Sequence, residues 1–264
     1  MSSKTEPKDV EEVDIEVATA TDATDGTTTN PAVKIRHALA LGGISSILAG
    51  VTYIVGFVIF GVALRDMFEE DKLSAVESVS FLKNNEEVFY TANFLVYILN
   101  GFLQVILSCV MYTYLLSEHK QNGRQEIYFQ VTSVIGIIWG ALVIAAGMIG
   151  NGGGHVAVNL YETDPVRAAT VWMTIDAVYT NGIGGGNEIL GAVWVLMVSF
   201  SSFGCGRGFP KPVNILGLIA GIAGVITIVP GMDEATSVFG VVMTVWYILA
   251  GMWLLRAFKK TSSK

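Results

Sequence analysis

The stretch ALALGGISSILAGVTYIVGFVIFGVAL, residues 38–64, contains 27 residues and no charged side chain. An α-helix rises about 1.5 Å per residue, so about 20 apolar residues cross a hydrocarbon core of about 30 Å. The run is therefore long enough to span a membrane. Five further apolar runs lie at about 89–116, 127–150, 185–203, 213–230 and 237–257. Together the six runs predict an all-α integral membrane bundle of six transmembrane helices.

The composition agrees with a membrane protein. Of the 264 residues, 52% are hydrophobic and only 15% are charged, which is too little charge for the surface of a soluble domain of this size. Residues 1–30 carry −6 of the total net charge of −7, so the rest of the chain carries only −1. Because no region is strongly basic, the sequence predicts no nucleic-acid partner.

The chain divides into three predicted regions. Residues 1–33 are rich in Thr, Ala and acidic residues and lack the basic and apolar segments of a signal peptide, so they are predicted to form a disordered acidic tail. Residues 34–258 form the predicted six-helix domain. Residues 259–264 form a short basic tail.

The charges between the spans predict their orientation. Lys34 and Arg36 precede the first run, and basic residues also flank the predicted cytoplasmic side of the later runs, whereas residues 65–88 carry seven acidic residues against three basic ones. The positive-inside rule then places the N-terminus and the C-terminus in the cytoplasm. We expect the protein to lie in the plasma membrane.

The fourth segment is too long for a single span. Its helical pattern runs from Val166 to Phe203, and 38 residues would form a rod of about 57 Å. The glycines in GIGGG, residues 182–186, weaken a helix and permit left-handed backbone. We therefore predict a broken segment, with residues 166–181 as an amphipathic outer helix and residues 187–203 as the span.

The break places a carboxyl group within the membrane. Glu188 and Asn187 follow the glycines, and helical rise puts Glu188 roughly 9 Å below the outer edge of the core. An acid at this depth is a candidate functional residue, although a carboxylate also stabilises the first turn of a helix. Helical rise places Asn93 and Tyr97 of the second span at a similar level. We predict that further polar residues, from the second span, the outer end of the third span and the segment before the break, converge with these on an outward-facing pocket: Asn100, His155 and Asp176.

Part of this set has a second interpretation. On the second span a polar stripe consists of Asn93, Tyr97, Asn100, Gln104 and Ser108, at spacings that place them on one helix face. Amide side chains often join transmembrane helices by hydrogen bonds, so the stripe predicts either helix pairing or a ligand-lining surface. The glycine pairs Gly136/Gly140, Gly182/Gly186 and Gly217/Gly221 have GxxxG spacing, which predicts close helix packing within the chain or with a partner.

No enzyme or cofactor motif is present in the sequence. The GIGGGNE stretch lacks the third glycine of a dinucleotide fingerprint and the lysine of a P-loop, and neither HExxH nor GxSxG occurs. We therefore predict no catalytic residues, no cofactor and no metal site. Two functions remain open. One is a small-molecule or ion-binding sensor or transporter, and the other is a structural or assembly subunit of a membrane complex.

Two stretches carry a family resemblance. Residues 200–231, FSSFGCGRGFPKPVNILGLIAGIAGVITIVPG, place a basic Phe-Pro turn before a glycine-rich span, and residues 96–118 read VYILNGFLQVILSCVMYTYLLSE. Together they resemble a six-span family of bacterial membrane proteins known only as a domain of unknown function. The resemblance covers residues 36–257 and implies six spans, and it implies no substrate and no catalytic residue.

Overall fold

A computed structural model describes residues 31–68, 73–118, 123–203, 208–229, 231–232 and 234–262. Most of the acidic tail, residues 1–30, lies outside the described residues. Every regular element within the described ranges is helical, so the predicted all-α class is confirmed. The last helix continues to Ser262, so Lys259 and Lys260 of the basic tail are helical.

The chain forms ten α-helices in the described residues, and three of the long helical stretches contain a π-helical turn. The α-helices are α1 (Pro31–Val58), α2 (Arg65–Phe68), α3 (Ala75–Asn84), α4 (Glu86–Asn93), α5 (Asn100–Glu118), α6 (Gly123–Tyr161), α7 (Pro165–Asp176), α8 (Glu188–Phe203), α9 (Lys211–Ile226) and α10 (Glu234–Ser262). The π turns are Ile59–Ala63, Phe94–Leu99 and Ala177–Gly184.

Five helical stretches among the described residues are long and apolar enough to cross a membrane: Ile35–Ala63, Glu86–Ser117, Glu126–Tyr161, Pro165–Phe203 and Glu234–Lys260. The predicted fifth run contains α9, which is apolar but has only 16 residues, or about 24 Å at helical rise. Five of the six predicted spans therefore meet the length requirement. The protein is an integral membrane protein with several membrane-crossing helices.

The long helices close into a ring. Helix α1 packs against α5 and α10, α5 packs against α6, and α6 packs against α8. Helix α9 lies between α8 and α10 and completes the ring. The outer face of α1 carries a stripe of exposed apolar residues, Leu41, Ile44, Leu48, Val51 and Ile54. Their spacing of three to four residues presents one apolar face to lipid.

Glycines bring neighbouring helix backbones together. A Cβ on Gly101 would lie 2.6 Å from the carbonyl oxygen of Gly140, and a Cβ on Gly140 would lie 2.7 Å from that of Gly101. Gly43 and Gly251 make the same reciprocal approach between α1 and α10. Such contacts allow helices to approach closely in lipid, where packing rather than water exclusion drives their association.

The predicted packing role of GxxxG pairs is confirmed for two pairs and wrong for one. Gly136 and Gly140 on α6 contact α5 and α8, and the Gly217/Gly221 pair on α9 contacts α8 and α10. These contacts lie inside the chain, so they do not form an outward-facing surface. Gly186 approaches only its own segment, at the carbonyl of Gly182.

A second layer of helices lies beyond the end of the ring where α1 ends and α10 begins, here called the distal end. Helix α6 continues to Tyr161, eleven residues past the predicted end of its span at residue 150. It overruns because its glycines are packing positions: Gly150 lies against Tyr179, and Gly153 lies against Ile175. Helices α3 and α7 pack on this extension, and together they bury a small core that includes Leu82, Phe89 and Trp172.

Helix α3 has a well-defined start. The backbone N–H of Glu77 donates to Ser74 Oγ at 3.4 Å, and the backbone N–H of Ser74 donates to Glu77 Oε2 at 2.8 Å, which together form a capping box. Asn85 precedes α4 but makes no capping hydrogen bond to it with its side chain. Its Nδ2 donates to the Phe81 carbonyl, so it closes the end of α3.

Removal of this cap is expected to loosen α3. Ser74→Ala should cost about 1 kcal/mol of local stability, because the free N–H groups of the first turn lose their acceptor. Hydrogen bonds from Ser74 lower the pKa of Glu77 below its usual value. The stabilising interaction is therefore present above the ordinary Glu pKa and is lost as the pH falls through the lowered value.

Hydrogen exchange of the α3 amides would measure both effects. The protection factors, which compare each observed rate with the intrinsic rate at the same pH, should be lower in Ser74→Ala, and in the wild type they should fall in acid. Ser80→Ala, in the same helix but away from its first turn, is the control. Equal protection in the two variants would contradict the capping role.

Candidate ligand-binding cavity

The fourth segment is distorted where the sequence predicted a break. Helix α7 leads into the π turn Ala177–Gly184, three turn residues follow, and α8 begins at Glu188. The backbone N–H of Gly185 donates to the Thr180 carbonyl at 2.7 Å, a bond that spans five residues. The chain stays right-handed here, since Gly185 has a φ of −79°. None of the glycines in this turn uses the left-handed backbone that glycine permits.

The glycines are required here because the backbone folds closely on itself. A Cβ on Gly185 would lie 2.7 Å from the Thr180 carbonyl oxygen. Cβ atoms on Gly184 and Gly186 would meet the carbonyls of Tyr179 and Gly182 still more closely. Real Cβ atoms essentially never approach other atoms this closely, so any larger residue would have to displace a carbonyl of the π turn.

Asn187 ties the distorted turn to α6. Its Nδ2 donates to the carbonyls of Ile183 and Gly184, each at 2.6 Å. Its Oδ1 accepts a hydrogen bond of 2.7 Å from Trp139 Nε1. The side chain is 7% exposed. Asn187 therefore pairs two backbone carbonyls of the turn and the indole N–H of a buried tryptophan.

Glu188 is the first residue of α8 and is nine-tenths buried, with 9% of its surface exposed. Its carboxyl group accepts a hydrogen bond from its own backbone N–H, as expected for an acid in the first turn of a helix. Its Oε2 has no hydrogen-bond partner among the described residues. The helix end therefore accounts for only part of the hydrogen-bonding capacity of this carboxyl group.

A cavity of about 340 Å³ lies beside this carboxyl group at the distal half of the ring. It is lined by residues from five of the long helical stretches: Tyr53, Gly56, Phe57, Phe60, Val96, Tyr97, Asn100, Val143, Thr180, Gly184, Asn187, Glu188, Thr236, Ser237, Phe239 and Gly240. Pockets for small ligands usually measure about 300–1,000 Å³ and combine apolar walls with a few polar groups. This cavity has both properties and is at the small end of the range.

All three π turns contribute to the cavity wall. Phe60 comes from the turn after α1, Tyr97 from the turn between α4 and α5, and Thr180 from the turn before Glu188. A π turn inserts a residue into a helix, widens it locally and frequently occurs at functional sites. Three such turns at one level give the ring its local width.

The polar stripe of the second span mainly joins helices. Asn100 Nδ2 donates to Thr52 Oγ1 at 2.6 Å. Gln104 Oε1 accepts from the Tyr247 hydroxyl at 2.7 Å, and Gln104 Nε2 donates to Ser108 Oγ at 3.1 Å. The bonds to Thr52 and Tyr247 connect the second span to α1 and α10, and the bond to Ser108 lies within α5. The helix-pairing interpretation of the stripe therefore describes most of its members, whereas Tyr97 and Asn100 also line the cavity.

Four of the seven predicted site residues line the cavity, namely Tyr97, Asn100, Asn187 and Glu188. Asn93 does not line it, because the π turn rotates it away from Asn100 compared with an unbroken α-helix. Instead Asn93 accepts a hydrogen bond from the Tyr179 hydroxyl at 2.6 Å and donates to Asn151 Oδ1 at 3.0 Å.

His155 and Asp176 do not line the cavity either. His155 lies on the extension of α6, 3.0 Å from Asn159 Nδ2 and 3.7 Å from a carboxyl oxygen of Glu86. Asp176 lies at the end of α7 and accepts a hydrogen bond from Thr180 Oγ1 at 2.7 Å. Both were expected beside Glu188, and both belong to the distal layer because α6 and the fourth segment extend past the ring.

The charge of the cavity is one-sided. Among the described residues that line the cavity, Glu188 is the one acidic residue, and there is no lysine, arginine or histidine. Five lining residues are aromatic: Tyr53, Phe57, Phe60, Tyr97 and Phe239. No group of three or more His, Cys, Asp or Glu side chains that could hold a metal ion occurs among the described residues.

Sequence reasoning missed the walls from the first and last helices. Tyr53, Phe57, Thr236 and Ser237 carry no local motif, and aromatic residues within apolar runs usually pack in cores or at membrane interfaces. Only the packing of α1 against α10 brings them beside Glu188. The chain matches no protein-family model, and neither a curated protein nor a solved structure is detectably similar to it. The resemblance to a six-span bacterial family stays a prediction.

Proposed function

We propose that this protein is a six-span plasma-membrane protein that binds a small molecule in the cavity beside Glu188. The observation that carries the proposal is the combination of a cavity of about 340 Å³ with a nine-tenths buried carboxyl group whose Oε2 has no partner. Burial of an unpaired polar atom is unfavourable. An acid within a membrane span faces a polar cavity or a partner and is a functional candidate by default.

The exposed surface of α9 supports its role as the sixth span. Its exposed apolar residues recur every three to four positions, at Ile215, Ile219, Ile222 and Ile226, in the same manner as the lipid-facing stripe of α1. Ile228 and Val229 continue the apolar surface past the helix end. A short helix can be accommodated in a membrane by local thinning of the bilayer or by its flanking residues.

Six spans place both chain ends on one side. The start of α1 lies against the end of α10, where Arg36 stacks over the Phe258 ring at 5.2 Å. Arg256, Lys259 and Lys260 lie in the same part of α10. The positive-inside rule favours a cytoplasmic location for this basic end, so the distal end and the cavity face outward.

The structure on the cytoplasmic side of the cavity supports a binding protein, in which the cavity is closed on that side, more than a transporter with an open path. Gln104 and Ser108 do not line the cavity, and Gln104 is hydrogen-bonded to Tyr247. The indole rings of Trp139, Trp194 and Trp246 contact one another in sequence, with centroids 5.6–6.0 Å apart. A sensor fits this arrangement directly, whereas a transporter would need these groups to separate.

A structural or assembly subunit is the second candidate function. The paired polar stripe supports it, because Asn93, Asn100 and Gln104 all have hydrogen-bond partners on other helices. This function does not explain the unpaired Oε2 of Glu188 or the cavity beside it. We therefore favour ligand binding.

A blocking variant would test the cavity. Thermal unfolding of the purified chain in lipid nanodiscs would be measured against a library of anionic, neutral and cationic small molecules. Ser237 is exposed and lines the cavity, so Ser237→Trp should cover its mouth. A library member that raises the melting temperature of the wild type should have no effect on Ser237→Trp.

The neighbouring residue provides the control. Val238 is exposed on the same helix and does not line the cavity, so Val238→Trp should retain the ligand-induced shift. A shift that persists in Ser237→Trp would place the site elsewhere. If no member of the library shifts the wild type, the assembly function is favoured and the binding proposal fails.

A further inference from the structure

We infer that the cavity recognises a small organic cation, such as a protonated amine or a quaternary ammonium group, held by Glu188 and by the surrounding aromatic rings. This inference rests on the proposed function and specifies its ligand. It depends on the kind of groups that line the cavity and on the groups that are missing from the lining.

The charge in the cavity favours a cation. In the described part of the chain, one oxygen of the Glu188 carboxyl group has no partner, and no basic side chain lines the cavity to neutralise it. An anionic ligand would meet this carboxyl group with no compensating positive group. A neutral apolar ligand would leave the buried oxygen unpaired, which is unfavourable. A cation with or without N–H donors would supply the missing charge.

The rings provide a second contact for such a cation. Tyr53 and Phe57 are adjacent on α1, with centroids 6.3 Å apart and planes at 60°. Phe60 and Tyr97 meet across two helices, with centroids 6.3 Å apart and planes at 71°. Aromatic rings whose planes meet at large angles can surround a ligand on several sides, and they present both faces and edges to it. Cages of this kind bind quaternary ammonium groups through the negative potential of the ring faces.

The donor set argues against an inorganic cation. Calcium takes about six to eight oxygen ligands, and magnesium requires an octahedral set that usually includes carboxylates or phosphates. The cavity offers one carboxyl group, a few hydroxyl and amide groups, and mainly apolar surface. One of the amide oxygens is already engaged, since Asn187 Oδ1 accepts a hydrogen bond from Trp139 Nε1. An organic cation with apolar substituents matches these walls better than a hydrated metal ion.

Choline and 3,3-dimethylbutan-1-ol provide a matched pair of probes. The two molecules have nearly the same shape, but the alcohol has a neutral carbon in place of the charged nitrogen. Isothermal titration of the full-length chain in nanodiscs should show that choline binds at least about tenfold more tightly than the alcohol, because only choline gains the charge and ring interactions.

Two variants identify the groups responsible. In Glu188→Gln the affinity for choline should fall several-fold toward that of the alcohol, because only the ring interactions remain, while the affinity for the alcohol stays unchanged. Glu126→Gln is the control, because Glu126 is exposed at the start of α6 and loses the same charge far from the cavity. Phe57→Leu keeps an apolar side chain but removes a ring, so it should weaken choline binding several-fold. Phe57→Leu also tests the inference if Glu188→Gln does not fold.

The possible outcomes separate this inference from the proposed function. If the alcohol binds as tightly as choline, or if both Glu188→Gln and Phe57→Leu bind choline normally, the cation inference is overturned while binding in the cavity stands. If the wild type binds neither probe, the cation inference is also overturned. The library experiment with Ser237→Trp then decides separately whether the cavity binds another class of molecule.

Discussion

Gly140→Ala is expected to destabilise the bundle by about 3 kcal/mol, near the upper end of the usual cost of overpacking. The new Cβ would lie 2.7 Å from the carbonyl oxygen of Gly101 and 2.8 Å from Val105 Cγ2. The first of these atoms is backbone, so it cannot move aside without shifting α5. The free energy of unfolding in detergent, followed by circular dichroism, would measure the loss.

Gly152→Ala is the matched control because it makes the same substitution in the same helix. No atom lies within 4 Å of a Cβ at this position, and replacing glycine by alanine in a helix contributes roughly 0.5–1 kcal/mol. The control should therefore be as stable as the wild type or slightly more stable. Equal stability of the two variants would show that α5 and α6 do not cross as closely as described.

Asn187→Leu is expected to have a comparable effect by a different mechanism. The substitution removes the acceptor of Trp139 Nε1 and the donor to the Ile183 and Gly184 carbonyls. A buried polar group without a partner costs about 1–3 kcal/mol, so a loss of roughly 3 kcal/mol is expected in total. Melting temperature would report the destabilisation, and the indole N–H resonance of Trp139 should shift because its hydrogen bond is lost.

Asn181→Leu provides the comparison for this variant. Asn181 lies in the same π turn, but it is exposed, so its replacement should change stability little. If Asn187→Leu and Asn181→Leu have the same melting temperature and the indole N–H resonance of Trp139 does not shift, then Asn187 does not hold the turn against α6. The distortion of the fourth segment would then need another explanation.

The sequence predicts the membrane-crossing helices well because their signal is local. A run of about 20 apolar residues must satisfy its backbone polar groups internally in lipid, and a helix does so. The ends of the helices are harder to predict. The third span continues through Gly150, Gly152, Gly153 and Gly154, because several of these glycines face other helices and the distal layer stabilises the extension.

The candidate site could be predicted only in part. An acid within an apolar segment is visible in the sequence, and it indicated Glu188 and Asn187. The wall that faces them could not be predicted, since Tyr53 and Phe239 become neighbours of Glu188 only through the packing of α1 against α10. The π turns also have no sequence signature, and the turn Phe94–Leu99 decides that Asn100 lines the cavity while Asn93 does not.

The joining of α1 to α10 across the cavity has a consequence for biosynthesis. Residues 53–60 leave the ribosome well before residues 236–240, which line the same cavity. Until α10 is inserted, α1 lacks the helix against which it packs most extensively. The surface around Gly43 therefore lies in the translocon or in lipid without Gly251 to pack against. The cavity can therefore be completed only after α10 has been inserted beside α1.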